Sequence, residues 1–170
     1  MTIEFLLLST VLAGCLIAAA GWDIATYTIP NSIQVALLAS FILFAFMSSM
    51  SAGLLAAHFA AGFVGLVIGF ALFALGYVGG GDAKLFACSA LWFGLSDFLP
   101  YALTASIFGG LLTFGLLFFR KLPLPAVLAR QGWLMRLHDE KAGIPYGVAL
   151  AAGSFAILPY TDVFRAGLAA

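Results

Sequence analysis

Apolar residues fall in long unbroken runs along the chain, and polar residues gather in a few short connections. A helix needs about twenty mostly apolar residues to cross the hydrocarbon core of a bilayer. On that ruler the pattern predicts about six spans. They lie near Ile3 to Ala20, near Ile33 to Met50, and at Leu54 to Leu75, Ala83 to Leu95, Phe98 to Phe119 and Ile144 to Tyr160. The fourth is short for a full crossing and is expected to tilt little or to end inside the membrane. Long runs, rather than ten-residue alternating segments, predict helices and not a barrel. Two connections are polar. Gly21 to Ser32 contains Asp23, Pro30 and Asn31. Residues 120–143 form the only long hydrophilic stretch, broken by Pro123 and Pro125. Within it, Ala126 to His138 reads as an interfacial helix with Trp133, Leu134 and Leu137 on one side. No fixed-period repeat or low-complexity tail is present, so residues 1–170 are expected to form one membrane domain.

Composition makes the bilayer the solvent. The 170 residues are 64% hydrophobic and 8% charged, with mean hydropathy +1.16; a soluble domain is nearer half apolar and a quarter charged. Seven basic and seven acidic residues cannot coat a soluble protein of this size. The expected fold is therefore an all-α membrane protein whose helices satisfy their own backbone hydrogen bonds. The net charge of zero implies no attraction to nucleic acid. Cys15 and Cys88 stand far apart without CxxC or Cys/His spacing, so neither a metal site nor a disulfide framework is expected, and Cys88 reads as a helix-packing residue. No cofactor is expected. Leu12-Ala13-Gly14-Cys15 is similar to a bacterial lipoprotein cleavage box, but Met1 to Phe5 carries Glu4 and no basic residue, so this region reads as a first transmembrane helix.

Basic residues set the orientation. Arg120, Lys121, Arg130, Arg136 and Lys141 share one connection, which is expected to face the cytosol. Alternating the spans from there puts the turns at 21–32 and 79–84 on the same cytosolic face and both chain ends outside. Lys84 joins the inner count. Glu4, Asp97 and Asp162 fall outside, with Arg165. The topology uses neither Asp23 nor Asp82, yet it places both at one membrane face.

An ionised carboxylate near hydrocarbon is costly, which makes these two acids candidate working residues. Two nearby carboxylates in a partly dry site cannot both ionise easily. One keeps a proton, giving an acid and a base that together can activate water and protonate a leaving amine. They would titrate as one coupled unit, so no separate roles follow. Each could instead cap a helix at the interface, and Asp82 before Ala83 suits that position. Asp97 and Asp162 read as solvated loop acids. Three glycines, Gly79 to Gly81, precede Asp82. They remove bulk and admit unusual backbone angles, so another segment can approach closely. Pro30 fixes the start of the second span, and Asn31 beside it can turn or cap the chain.

Gly79-Gly80-Gly81-Asp82-Ala83-Lys84-Leu85 resembles the GxGDxKL signature of the type IV prepilin peptidases, the membrane aspartic proteases of the GxGD class. Asp23 followed by Ile29-Pro30-Asn31 is similar to that family's first motif. Ile144-Pro145-Tyr146-Gly147-Val148-Ala149 resembles the opening of its last helix. The three stretches lie in the family's order across most of the chain. The resemblance is closest to the small peptidase-only branch serving tight-adherence (Flp-type) pili. It implies that Asp23 and Asp82 are catalytic and that Gly79, Gly81, Lys84, Pro30 and Asn31 support the site or the substrate. It implies as substrate a prepilin whose short basic leader is cut at the cytosolic face of a bacterial inner membrane, with lipid as the other partner. Larger relatives carry paired CxxC motifs associated with N-methylation. These are missing here, so methylation is not expected. Many relatives also place basic residues after the first Asp, whereas Ile24 to Thr28 is neutral.

Lys84 reads as a snorkelling lysine at the inner interface, or as a group that tunes Asp82 or holds a substrate carbonyl. His58 is expected to be packed or hydrogen-bonded on the outer side, and His138 to be solvated. Ala61, Gly65 and Gly69 form a small-residue stripe for close helix packing within the monomer. The Phe-rich spans read as lipid-facing. A small transporter or proton relay could use the same acids, but it would want them facing each other at mid-membrane. A structural subunit or lipoprotein is the third reading. Signal peptide peptidase and presenilin proteases share GxGD, but their Tyr-Asp motif and larger span count are missing.

Overall fold

The computed structural model describes residues 3–125, 127–161 and 164–165. Among these the protein is all-helical. Helices α1 (Ile3–Thr26), α2 (Asn31–Met47), α3 (Ala52–Ala74), α4 (Gly80–Phe119), α5 (Gly132–His138) and α6 (Tyr146–Ile157) follow in order, with 3₁₀ turns at Leu128–Arg130 and Leu158–Tyr160. Helices α1, α3 and α4 are long and apolar enough to cross a membrane; α2 and α6 are shorter apolar helices.

Helix α4 is not a single rod. Gly94, at φ 72° and ψ 178°, breaks it into two halves, α4a (80–93) and α4b (95–119). The second half folds back on the first, so that Phe86 meets Phe98 and Tyr101, and Phe93 meets Tyr101. These halves are the fourth and fifth spans expected from the sequence. Among the described residues six apolar helices therefore make up the bundle. At 1.5 Å per residue α4a rises about 21 Å, short of a hydrocarbon core of about 30 Å.

Breaking a helix at this depth strips carbonyls of their donors where no water replaces them. His58 of α3 answers for one of them. Its Nδ1 lies 2.8 Å from the Leu91 carbonyl, and its ring fills the space beside Gly94 and packs on Phe41. The buried histidine is thus hydrogen-bonded, as expected, and it covers the break.

Close backbone approach holds the helices together. Gly62, Gly65 and Gly69 of α3 face Leu91, Ala87 with Ala90, and Ala83 of α4a. A Cβ on Gly69 would lie 2.9 Å from the Ala83 carbonyl oxygen. On the other side, Gly153 of α6 meets Ala105 of α4b, where a Cβ would lie 2.7 Å from its Cα. Glycine here exchanges a side chain for many backbone contacts at van der Waals distance. Cys88 packs between α4a and α2, with Sγ 3.8 Å from the Gln34 carbonyl. Phe46, Phe63, Phe70, Phe114 and Phe118 point outward, but Phe41 and Phe93 are buried, so the Phe-rich spans are not uniformly lipid-facing.

Several boundaries depart from the hydrophobic pattern. Helix α1 passes through Cys15 and runs on to Thr26, so Asp23 rides on a helix rather than in a loop. Trp22, Ile24 and Ala25 continue the helix, and Thr26 Oγ1 donates to the Trp22 carbonyl at 2.8 Å. Tyr27, at φ 56°, then ends it in the left-handed conformation common after helices. In the long connection, Ala126 lies outside the described residues and only Gly132–His138 is α-helical. Trp133 and Leu137, one turn apart on this helix, share a face as expected, but only Leu137 is buried while Trp133 stays exposed. His138 is half-buried with its ring edge-on to Phe119, not solvated. Asp97 belongs to the first turn of α4b and is half-buried, a position where the helix dipole favours an acid. Asp162 lies outside the described residues.

Gly94→Ala forces a side chain into a glycine-only backbone region and sets its Cβ 3.1 Å from the His58 ring. It is expected to cost about 1–3 kcal/mol. Gly115→Ala, which meets open space, should stay within about 0.5 kcal/mol of wild type. Unfolding in detergent, compared for the two variants, checks this.

Candidate active site

Asp23 stands one turn before the C-terminal end of α1, where the partial negative charge of the helix end disfavours an acid. It cannot cap that end, because a carboxylate offers no hydrogen to orphan carbonyls. It is nevertheless 3% exposed. Its stabilising partner comes from elsewhere in the chain: the backbone N–H of Gly147 donates to Oδ2 at 2.7 Å. Gly147 is the second residue of α6, so Asp23 accepts from the free amides of another helix's positive end.

Asp82 occupies the third position of α4, behind an N-cap at Gly79. Its Oδ2 accepts from the Gly79 N–H at 3.1 Å, an acid reaching back to its own helix start. The acid therefore does cap, but from the third position rather than from the cap itself. Capping occupies only one oxygen. Oδ1 is buried without a hydrogen-bond partner, and the residue as a whole is 9% exposed. The Asp82 charge acts on Asp23, so the first and fourth apolar helices bring the two carboxylates near each other, at one end of the bundle rather than at its mid-height.

Ile29 packs against this cluster. It is buried. It would contact a Cβ on Gly81 at 3.2 Å and one on Gly147 at 2.8 Å. The glycine run serves this approach and not unusual backbone angles: Gly79 sits at φ −73°, and none of the three has positive φ. Gly79 leaves room for the Asp82 carboxylate, Gly81 leaves room for Ile29, and Gly80 makes only ordinary contact with Phe73.

Pro30 is the N-cap of α2, at φ −60° and ψ 138°. Asn31 does not cap. Its Oδ1 accepts from Lys84 Nζ at 2.9 Å. Lys84 therefore ties the start of α2 to α4a and engages neither Asp82 nor open solvent alone. Gln34, one turn further on, donates to the Gly81 carbonyl at 3.4 Å. All seven residues singled out from the sequence lie in this region.

Arg120, Tyr27 and Ile29 were not singled out as site residues. Arg120 counted only as a loop charge, but it is 7% exposed. Its Nε donates to the Leu137 carbonyl and its second amino group to the Gly143 carbonyl, each at 2.8 Å. It thereby ties both arms of the connection to the end of α4, just ahead of Gly147. Tyr27 reaches the Arg136 carbonyl at 3.4 Å. Burial pushes its phenol up, against the opposing pull of Arg120. Only the position of Arg120 at the edge of an apolar run hinted at this. Among the described residues no group of three or more His, Cys, Asp or Glu side chains could hold a metal ion.

Gly147→Ala would place a methyl 2.9 Å from Asp23 Oδ2 and 2.8 Å from Ile29. Such overpacking is expected to cost about 1–3 kcal/mol, whereas Gly80→Ala, 3.5 Å from Phe73, should be nearly neutral. Chemical unfolding of both variants in the same detergent separates them.

The type IV leader peptidase family matches residues 10–114. The matched region includes both aspartates, the Pro30–Asn31 turn and the glycine run, and ends before α6. No curated protein and no solved structure matches the chain. With more than half of its length matched, this helical membrane protein is a peptidase and belongs to the type IV leader peptidase family.

Proposed function

We propose that the protein is an aspartic endopeptidase that removes the basic leader of a prepilin at the cytosolic face of a bacterial inner membrane, with Asp23 and Asp82 as the catalytic pair. The observation that carries this reading is that two buried carboxylates from distant helices lie near each other at one end of the bundle, Asp23 held by the Gly147 amide and acted on by the Asp82 charge, with Asp82 Oδ1 left unpartnered. A free carboxylate oxygen in a sheltered site is where a water can be held.

In the reaction, the ionised member of the pair removes a proton as water attacks the scissile carbonyl. The protonated member supports the carbonyl oxygen as the new C–O bond forms. The C–N bond then breaks, and the proton passes to the leaving amine, so that the pair regains its single proton. The pair acts as one titrating unit. Lys84, Asn31 and Pro30 would hold the Asp82 and Ile29 segments in register, and Gly79 and Gly81 would admit them to close approach.

The basic connection supports the cytosolic placement, since Lys121, Arg130, Arg136 and Lys141 lie at the same end of the bundle as both acids. The motif set favours Flp-type pilins as substrates. One peptidase domain is proposed to carry the whole activity.

Co-expression with a prepilin bearing a basic leader tests the reading. Asp23→Asn and Asp82→Asn should each lower the cleavage rate by about a hundred- to ten-thousandfold while the protein still inserts, read from the mass of the pilin N-terminus. Rapid cleavage by both variants would refute the pair. A cysteine at Lys141 should react with an impermeant thiol reagent only when the cytosolic side is opened; labelling from outside would reverse the orientation.

A further inference from the structure

Of the basic residues in the long connection, Lys121, Arg130, Arg136 and Lys141 are exposed, and Arg120 is buried. A guanidinium is costly to bury unless its hydrogens find acceptors. Both acceptors here are backbone carbonyls: Nε donates to Leu137 and Nη2 to Gly143, each at 2.8 Å. One planar group thus joins the two ends of residues 137–143. The turn it closes is bonded within itself. The Ala142 N–H donates to the Asp139 carbonyl at 3.1 Å, and the Lys141 N–H to Asp139 Oδ1 at 2.9 Å. Its tip, Asp139 to Lys141, is exposed. Arg120 is itself anchored, because its own N–H donates to the Leu116 carbonyl at 2.9 Å and closes α4b.

We infer that Arg120 is a positioning residue of the aspartate pair: by holding the Gly143 carbonyl it sets the register of the Gly147 amide, and so the direction in which Asp23 presents its carboxylate. The inference rests on the peptidase reading and goes beyond it, since Arg120 touches neither acid. The link from Gly143 to Gly147 is short and stiff. Pro145, fully buried, is the N-cap of α6; its ring fixes its own φ and restricts Ile144 before it. The Tyr146 N–H turns back onto the Ile144 carbonyl at 2.9 Å. A shift at Gly143 is therefore not absorbed before it reaches Gly147. The other end of the turn meets the Asp23 helix. Tyr27 Oη donates to the Arg136 carbonyl at 3.4 Å, and the Tyr27 N–H closes on the Asp23 carbonyl at 2.8 Å. Neighbouring carbonyls at 136 and 137 are thus bonded by the end of α1 and the end of α4b, which registers Asp23 against the start of α6. Lysine would keep the charge but lose the planar fork that donates in two directions. In the rival account, Tyr146 packed on Gly109 already fixes the start of α6, and Arg120 adds only stability.

The test uses the whole chain in detergent and a prepilin with a basic leader. Arg120→Lys and Arg120→Met should each lower kcat about tenfold to a hundredfold with KM within about twofold of wild type. Wild-type kcat in Arg120→Lys overturns the inference, because charge alone then suffices. A loss carried by KM overturns it too, since Arg120 would then serve substrate binding. Amide exchange needs no substrate. In both variants exchange across residues 143–149 should rise about tenfold while α3 exchanges as in wild type. A rise spread evenly over the helices marks general destabilisation and overturns the positioning role. Two insertions decide the case in which neither Arg120 variant folds. A Gly-Ser pair between Glu140 and Lys141, inside the closed turn, should leave kcat within about twofold of wild type. The same pair between Gly143 and Ile144, past the guanidinium, should lower it about a hundredfold. Equal effects of the two insertions overturn the inference. A wild type that cleaves no prepilin removes the peptidase reading, and the part of Arg120 with it. Unaltered kcat in the Arg120 variants beside an inactive Asp23→Asn removes only the part of Arg120.

Discussion

The Gly147 amide donates to Asp23 Oδ2 across 124 residues of chain, and much of the architecture exists to bring those two atoms together. An acid near the end of α1 is opposed by its own helix dipole and by burial. The start of α6 has free amides and a positive end, which is the complement it needs. Joining the two fixes α1 against α6, and Ile29, wedged between Gly147 and Gly81, fixes α4a against both. The bilayer sharpens this constraint, because a carboxylate or an amide left unpaired beside hydrocarbon cannot fall back on water.

Around that contact two kinds of glycine do different work. Gly69, Gly81, Gly147 and Gly153 are places where another backbone or side chain occupies the volume a Cβ would take. Gly94 is instead a conformational glycine, and its break allows one apolar run to descend and return as a hairpin. His58 makes that break tolerable by bonding the Leu91 carbonyl. The consequence reaches the site, since the returning half ends at Arg120. The buried guanidinium there pins the Leu137 and Gly143 carbonyls and so sets where the segment leading to Gly147 begins.

The same arrangement reconciles capping with chemistry. Asp82 Oδ2 caps its own helix, and Asp23 serves the start of α6. Each acid is thereby oriented by backbone amides, a pre-organised setting of the kind catalytic groups need. Capping leaves Asp82 Oδ1 without a hydrogen-bond partner, in a residue that lines an apolar groove along α4b. A structural role holds the carboxylates still and leaves one oxygen of Asp82 free for the catalytic part proposed for it.

The sequence by itself determined the solvent, the helical class and the approximate spans, because hydrophobic run length is a local property set by bilayer thickness. It also exposed the two acids, the glycine run and the Pro30–Asn31 turn, since costly or permissive residues stand out against an apolar background. It misplaced Asp23 in a loop because Gly21 and the acid interrupt the apolar pattern, while helix continuation depends on backbone bonds that hydropathy does not register. It read Lys84 and Arg120 as interfacial charges because a side chain's partner is not visible from its own neighbours. Only the tertiary structure decided that Lys84 binds Asn31, that Arg120 is buried under two carbonyls, and that Asp23 is held by Gly147 near Asp82. Those contacts join residues 17 to 124 positions apart, and their pairing is fixed by how the helices pack, through glycines whose missing side chains matter only once another helix lies against them.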